Sequence, residues 1–537
     1  MEQGQKETWK SIIRFVVCLL IALVWLCGRS FQIDNTLNHI ASTNRELFVS
    51  ILFVVAATFG LYLVVTYIAS KMSKWGRYGN YTNKRNYVIE VLGVGLAWIP
   101  YMIAAYPGYM VVDSWYELEQ YWGLETFTSH HPPFHILILG VCSKIGMWLK
   151  NGNMGIFLMT LIQMVCLWAV LSYMLYLMRK LRVPHWLYAI TYAMILFSPI
   201  YTAYFTVVLK DNLYAAACLL LVIEQIYFVR FSNEFWSFKH WILWTVAVAG
   251  VYLLRNNGKF ILIPVIIWCV VVTVRKIKKI RSLVFLVIPL LLAMGIQTAI
   301  VNAYHVEKGS IREALSLPFQ QTARYTWEHG EEVTPDEAEA IDGVINYVLL
   351  PYIYKPHISD PVKYTYRQSA SKDDLKKYFE TWLRQFGKHP MTYVAATLNQ
   401  NYYLIDPFVT DSLYFTTFLG VEESEQIAPK LGISNVEWND PLERYVQIWT
   451  NFRFRIPLVR LLFNYGFYNI ILIFLLIESM CQKRWNSVFV AMSLFITDLI
   501  IIAAPVIYGS SRYAFPILYA LPLVVAYYLC DLQNKNT

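Results

Sequence analysis

The sequence predicts an all-α polytopic membrane protein, with about twelve transmembrane helices, one re-entrant juxtamembrane helix and one mainly helical external domain. Three observations carry this reading. Of 537 residues, 57% are apolar and only 15% charged, and the mean hydropathy is +0.42, far from the composition of a soluble chain of this length. Apolar runs long enough to cross a bilayer as a helix, roughly 17 to 25 residues, recur from one end of the chain to the other. The basic residues gather in short loops between those runs, so the formal charge of +9 reads as orientation in a bilayer and not as affinity for nucleic acid.

Taken in order, the runs fall near 11–28, 47–69, 87–105, 155–178, 185–206, 212–230, 239–255, 259–274, 282–303, 457–478, 486–507 and 513–530. The first follows a basic start, and no small-residue cleavage signal comes after Gly28, so it reads as a retained span. The segment 134–150, FHILILGVCSKIGMWLK, is long enough on paper but carries Lys144 well inside, with Gly140 and Gly146. Basic loops decide its status. If it does not span, the loops at 70–86 (Lys71, Lys74, Arg77, Lys84, Arg85), 179–184 (Arg179, Lys180, Arg182), 275–281 (Arg275, Lys276, Lys278, Lys279, Arg281) and 482–485 (Lys483, Arg484) all face the cytoplasm. If it spans, the last three move outside, against the positive-inside rule.

The segment is therefore expected to be re-entrant or to lie on the surface. Both termini are then cytoplasmic, in a multi-pass protein of the cell membrane. This divides the chain into an N-terminal transmembrane domain (1–303, with a juxtamembrane loop at 106–154), an external domain (304–456) and C-terminal transmembrane helices (457–537). The region 304–455 has fifteen Lys and Arg against twenty-one Asp and Glu, which suits the side basic residues avoid. It carries helix starts at Thr334-Pro335-Asp336-Glu337 and at Ser371-Lys372-Asp373-Asp374, and a stop at Lys388-His389-Pro390. Tyrosines with Asn401, Asp406 and Asp411 between 393 and 415 suggest a polar-aromatic surface. All eight cysteines lie in or beside apolar runs and none in 304–455, which supplies neither a disulfide framework nor a Cys-based zinc site.

The functional stretch is YPGYMVVDSWYELEQYWGLETFTSHHPPFH, Tyr106 to His135. It leaves a span at Pro-Gly, places Asp113 at the head of an aromatic-rich segment, and delivers His130-His131-Pro132-Pro133 before apolar sequence resumes. Trp115, Tyr116, Tyr121 and Trp122 suit headgroup depth. The plainer alternative makes Asp113 an N-cap and the prolines a helix start. On the topology above, Lys210-Asp211, Arg255 (beside Asn256, Asn257 and Lys259) and Arg512 come to the same outer face as Asp113 and the two histidines. Each cation alone reads as a snorkelling helix end, and Asp211 alone as an N-cap.

An acid after a Pro-Gly exit, then His-Pro-Pro, a non-spanning helix and a Lys-Asp pair before a span resemble the GT-C superfamily of polyprenyl-phosphate-dependent glycosyltransferases. The nearest likenesses are protein O-mannosyltransferases, aminoarabinose transferases and their bacterial relatives. The likeness covers roughly 85–260 and the last span. One departure stands out: many relatives have two adjacent acids in the first loop, whereas here Ser114 follows Asp113 and the next acid is Glu117, four residues on and on the same helical face. The resemblance implies a GT-C-like bundle and transfer of a sugar from a polyprenyl-phosphate donor to a glycan, lipid or protein acceptor at the non-cytoplasmic face.

The residue types suit such chemistry. Charge grows on the departing lipid phosphate, and Lys210, Arg255 and Arg512, with hydrogen bonds from His131 and His130, would stabilise it. Asp113, or second Asp211, would take the acceptor hydroxyl's proton as general base, and one base without a carboxylate nucleophile predicts inversion. Gln320, Gln321 and Arg324 are candidates for the acceptor side, or a polar helix face. No cofactor is required on this reading, with Mg2+ or Mn2+ left open. The competing class is a transporter or flippase of a lipid-linked or sugar substrate, with Asp498 in SLFITDLIIIAAP as an ion or proton relay. A third is a polysaccharide polymerase or ligase.

Overall fold

A helix that is apolar on every side has only protein or lipid to face, and burial separates the two kinds here. The computed structural model describes residues 2–75, 79, 81, 84–202, 204–276, 280–409, 426–434, 444, 448, 456–462, 464–505, 507–509 and 511–533. The membrane part begins with α1 (Glu2–Asp34), α2 (Asn44–Trp75) and α3 (Lys84–Ala104), followed by the short α4 (Val112–Tyr121) and α5 (Pro133–Trp148). It continues through α6 (Gly152–Lys180), α7 (His185–Phe197), α8 (Lys210–Arg230), α9 (Phe238–Leu253), α10 (Gly258–Lys276) and α11 (Ile280–Ala303).

After an extramembrane layer, α12 (Ser316–His329), α13 (Pro335–Asp342), α14 (Lys372–Lys388) and α15 (Pro390–Asn401), the chain returns as α16 (Tyr465–Cys481), α17 (Trp485–Ala503) and α18 (Phe515–Gln533). The protein is an all-α polytopic membrane protein; the described residues pair as isolated bridges and form no sheet. The apolar stretches of α8 and α18 are 89% and 83% buried, against 17% for α2 and for α11. The first pair forms the axis of the bundle and packs together, with α6, α9 and α17 around α8. The second pair lies at its rim.

Nine helices among the described residues are long and apolar enough to cross a membrane, ten if the bent pair at 185–206 counts as one. The expected twelve differ for local reasons. The run at 185–206 breaks by 55° where Ser198 is extended before Pro199, as the residue before proline prefers. The run at 239–255 forms only the 16-residue α9, about 24 Å of helix against about 30 Å of hydrocarbon. The run at 457–478 splits into Pro457–Leu461 and α16. There Asn464 is extended and its side chain caps the second helix by accepting from the Phe467 amide. The segment at 134–150 becomes α5, of 16 residues, opened by Pro133 as expected.

The extramembrane layer has its own core of Phe319, Ile341, Val344, Val362 and Tyr378. Its helices begin where the sequence indicates. Thr334 and Glu337 form one capping box and Ser371 and Asp374 another. The supposed polar-aromatic surface is instead interior: Tyr393, Asn401, Tyr402, Tyr403 and Asp406 are all buried, because this segment threads back between the layer and the bundle. Asp411 lies outside the described residues.

α5 and α6 approach through glycine. A methyl on Gly146 would stand 2.7 Å from the Gly155 nitrogen, and one on Gly155 would stand 2.7 Å from the Cys142 oxygen. Small residues allow such close packing in membranes. Gly155→Ala is therefore expected to cost about 1–3 kcal/mol by forcing the backbones apart. Thermal unfolding in detergent micelles checks this, and an unchanged midpoint would mean the two helices are not in contact there.

Candidate active site

Two irregular backbone segments build the site, and their polar groups need partners because lipid offers none. The first leaves α3 at Gly108, whose φ of +135° and whose missing Cβ, only 2.2 Å from Thr160 Oγ1 if present, admit glycine alone. The second runs from Tyr204 to Leu209 before α8. They pair: the Tyr109 amide donates to Thr206 O (2.8 Å) and the Val208 amide to Tyr109 O (2.9 Å). Gln163 of α6, fully buried, donates to Phe205 O and Val207 O (2.8 and 2.9 Å) and accepts from the Leu209 amide (3.1 Å). Ser114 Oγ donates to Val208 O.

That pairing sets the first turn of α4 beside the first turn of α8. Neither Asp113 nor Asp211 is a cap, since Val111 and Leu209 hold those positions. Asp113 Oδ2 accepts from Lys210 Nζ (3.2 Å) and from Arg512 Nη1 (2.9 Å). Lys210 Nζ also donates to His131 Nδ1 (2.9 Å) and to Glu117 Oε1 (3.5 Å), and His135 Nδ1 meets Glu117 Oε2 at 2.5 Å. Asp211 Oδ1 accepts from Arg255 Nη1 (2.6 Å). Tyr513 lies between the guanidiniums, its ring centroid 4.5 Å from Arg255 and 5.2 Å from Arg512.

The electrostatics follow from these contacts. Burial alone would raise the Asp113 carboxyl, but Lys210, Arg512 and His131 outweigh it and hold the group well below the usual carboxylate range. Glu117 is likewise held low against its burial, by His135 and Lys210. His131 is pushed down to about 4, by burial first and the Lys210 ammonium second. It is therefore neutral at pH 7. Its Nδ1 accepts from Lys210, which leaves the Nε2 hydrogen available as a donor.

The outer rim comes from 305–315. Glu307 exchanges backbone hydrogen bonds with Phe127 and Ser129 (both 2.8 Å), and Gly309 donates to Ser129 Oγ (2.9 Å). Asn256 Nδ2 holds Ser129 O and His130 O at 2.9 and 3.2 Å. Beyond them Lys363 pairs with Glu313 and Asp360, both at 2.7 Å.

Asp113, His130, His131, Lys210, Asp211, Arg255 and Arg512 all line one cavity of about 850 Å³, which the rim residues Arg312, Glu313, Asp360 and Lys363 also line. The proposed acceptor residues are elsewhere. Gln320 donates to Lys355 O, Gln321 bonds Thr397 and Trp382, and Arg324 bonds Glu328 and Asn35 O. All three are buried within the layer and lie outside the cavity lining; of the two readings, acceptor side or polar helix face, their contacts match a polar helix face turned inward. Sequence reasoning missed Tyr513, whose only signal was adjacency to Arg512, and the rim charges, whose spacing gives none. It also undervalued Glu117. The place between the two carboxylates where a divalent ion would sit is taken by the Lys210 ammonium.

Residues 123–537 match the profile of a family described as "Family of unknown function (DUF6020)". The matched region contains Lys210, Asp211, Arg255 and Arg512 and begins after Asp113. No curated protein and no solved structure matches the chain.

The depressed Asp113 carboxyl fixes a pH dependence. A group whose folded pKa lies below its unfolded value stabilises fully above the ordinary carboxylate pKa, about 4, and loses that contribution as pH falls through the folded value. Asp113→Asn, which leaves Lys210 and Arg512 without their shared carboxylate, should therefore destabilise by on the order of 3 kcal/mol with a constant deficit above pH of about 5. The deficit should shrink in stronger acid. Unfolding midpoints of both proteins in micelles across pH check this, and a deficit that grows in acid would contradict the assignment.

Proposed function

We propose, for a chain that belongs to the DUF6020 family, a membrane glycosyltransferase of GT-C type that moves a sugar from a polyprenyl-phosphate donor to a glycan, lipid or protein acceptor. The observation that carries this is one cavity in which Asp113 meets Lys210 and Arg512, with Arg255 alongside. Apolar Met110, Val111, Ile500 and Ile501 line the same space, as a greasy donor needs. On this reading the cavity, the rim and the layer at 304–456 are on the non-cytoplasmic side, with both termini cytoplasmic.

The donor phosphate would sit against Lys210, Arg512 and the His131 Nε2 hydrogen, with Arg255 and His130 beside it. As the bond from anomeric carbon to phosphate oxygen breaks, its electrons stay on the phosphate, where these groups offset the growing charge. The acceptor oxygen attacks the opposite face of the sugar and passes its proton to Asp113. Both cations bond Oδ2, which leaves Oδ1 to receive the hydroxyl. A carboxylate held low by two cations is a weak base, and the incoming phosphate corrects this by taking a share of both cations. Asp113 suits the base role better than Asp211, since its side chain is 25% exposed and that of Asp211 1%. A single base gives inversion.

The transporter reading rests on Asp498. Its carboxylate accepts from Asn469 Nδ2 of the neighbouring α16 at 3.0 Å and is not part of the cavity lining, which favours a role in holding α16 to α17.

Reconstituted protein and polyprenyl-phosphate sugars test the proposal. Asp113→Asn, assayed well below its unfolding temperature, should lose at least about 100-fold in transfer while still binding the donor. Arg512→Ala should weaken donor binding by about tenfold or more. Full transfer by the first variant would remove Asp113 from the mechanism. If Asp498→Asn stops substrate crossing vesicles while Asp113→Asn does not, the protein is a transporter.

A further inference from the structure

On the extramembrane layer, away from the cavity, His329, Glu332 and His389 place one ligand atom each within 4.8 Å of one another. They come from the end of α12, the turn Gly330–Glu332 that follows it, and the residue that ends α14. We propose that these three side chains bind a zinc-class divalent transition-metal ion, with water completing its coordination.

Hydrogen-bond direction supports this. Thr392 Oγ1 donates its one hydrogen to Glu328 Oε2 at 2.7 Å. It can therefore only accept from His329 Nε2, 3.0 Å away. With Nε2 carrying the hydrogen, His329 Nδ1 presents its lone pair to Glu332 Oε1 at 3.5 Å, two acceptors facing each other. His389 Nε2 faces the other oxygen of the same carboxylate at 2.7 Å.

Something positive belongs between these atoms. His389 meets its oxygen as an ordinary imidazole N–H donating from Nε2, so the contact left without a hydrogen is the one between His329 Nδ1 and Glu332 Oε1. A cation there would satisfy this contact, and once the rings turn out of their stacked arrangement, 3.7 Å apart and 8° from parallel, it could take both nitrogens and the carboxylate. The Thr392–Glu328 chain behind His329 is the kind of outer support that fixes the tautomer of a metal-binding imidazole.

Two imidazoles and a carboxylate form a donor set that zinc favours over calcium or magnesium, which prefer all-oxygen sites. Metal–ligand bonds of about 2.0–2.2 Å require the three atoms to draw together. Glu332 is half exposed and His329 and His389 are only partly covered, so side-chain rotation suffices. Such an ion would tie the end of α12 to the junction of α14 and α15, and α15 leads into Gln400 and Asn401 at the cavity wall.

The test uses the full-length protein in micelles, freed of metal by chelation. Zn2+ titration with a chromophoric competitor should show one site per chain, and Co2+ should give the visible bands of a low-coordinate nitrogen-ligated ion. Zn2+, but not Mg2+ at equal concentration, should raise the thermal midpoint. His389→Ala and, as a gentler change, Glu332→Gln should each weaken zinc binding by at least about tenfold with the metal-free midpoint little altered. Absence of stoichiometric zinc binding, or equal binding by wild type and both variants, would overturn the proposal. Neither result bears on Asp113 or the glycosyltransferase reading.

Discussion

The short pairing of Tyr109 with Thr206 and Val208, held from behind by Gln163, is the interaction on which the rest of the site depends. Two stretches of chain outside the long helices lie against the interior of a helical bundle, where each unpaired amide or carbonyl costs several kcal/mol. They partly satisfy each other, and Gln163, Asn212 and Ser114 bond further groups of the second segment. Because side chains leave a backbone in fixed directions, this register also decides which side chains meet. It brings Asp113 to Lys210 across 97 positions of sequence. Arg512 then arrives from the start of the last helix.

Three acids (Asp113, Glu117, Asp211) and three permanent cations (Lys210, Arg255, Arg512) are gathered in and behind the cavity wall. Removing so many charges from water is costly unless each is matched, and matched pairs contribute more to geometry than to net stability. The cluster holds Lys210 and Arg512 at fixed points against the partly exposed Asp113 carboxylate in the cavity wall. On the proposed glycosyltransferase reading, an arriving phosphate would exchange one anionic partner for another, so the cations would not need to be assembled at the moment of binding. Tyr513 adds an aromatic plane that two guanidiniums share.

Much of this was legible in the sequence. Long apolar runs gave the long helices, and turn chemistry placed the capping boxes of α13 and α14. The gathering of Asp113, Lys210, Asp211, Arg255 and Arg512 could be anticipated because a common membrane face removes one dimension from the search. What hydropathy could not supply was continuity. Pro199 and Asn464 break two apolar runs whose mean hydropathy gives no sign of a break, and α9 stops short of a full crossing. The inward position of Gln320, Gln321 and Arg324 was hidden for another reason. A polar helix face looks the same in sequence whether it meets solvent or the carbonyls of a neighbouring segment, and only the packing of α12 against α15 and residues 353–357 distinguishes them.

The backbone exchange between Glu307 and the Phe127–Ser129 segment stitches the outer layer to the loop that carries the two histidines. Main-chain bonds of this kind are indifferent to side-chain identity, so substitution does not easily sever them. The layer and the loop must travel together: any tilt of the cap over the bundle is transmitted as a pull on His130 and His131, and the gape of the chamber becomes a property of the whole upper half of the molecule.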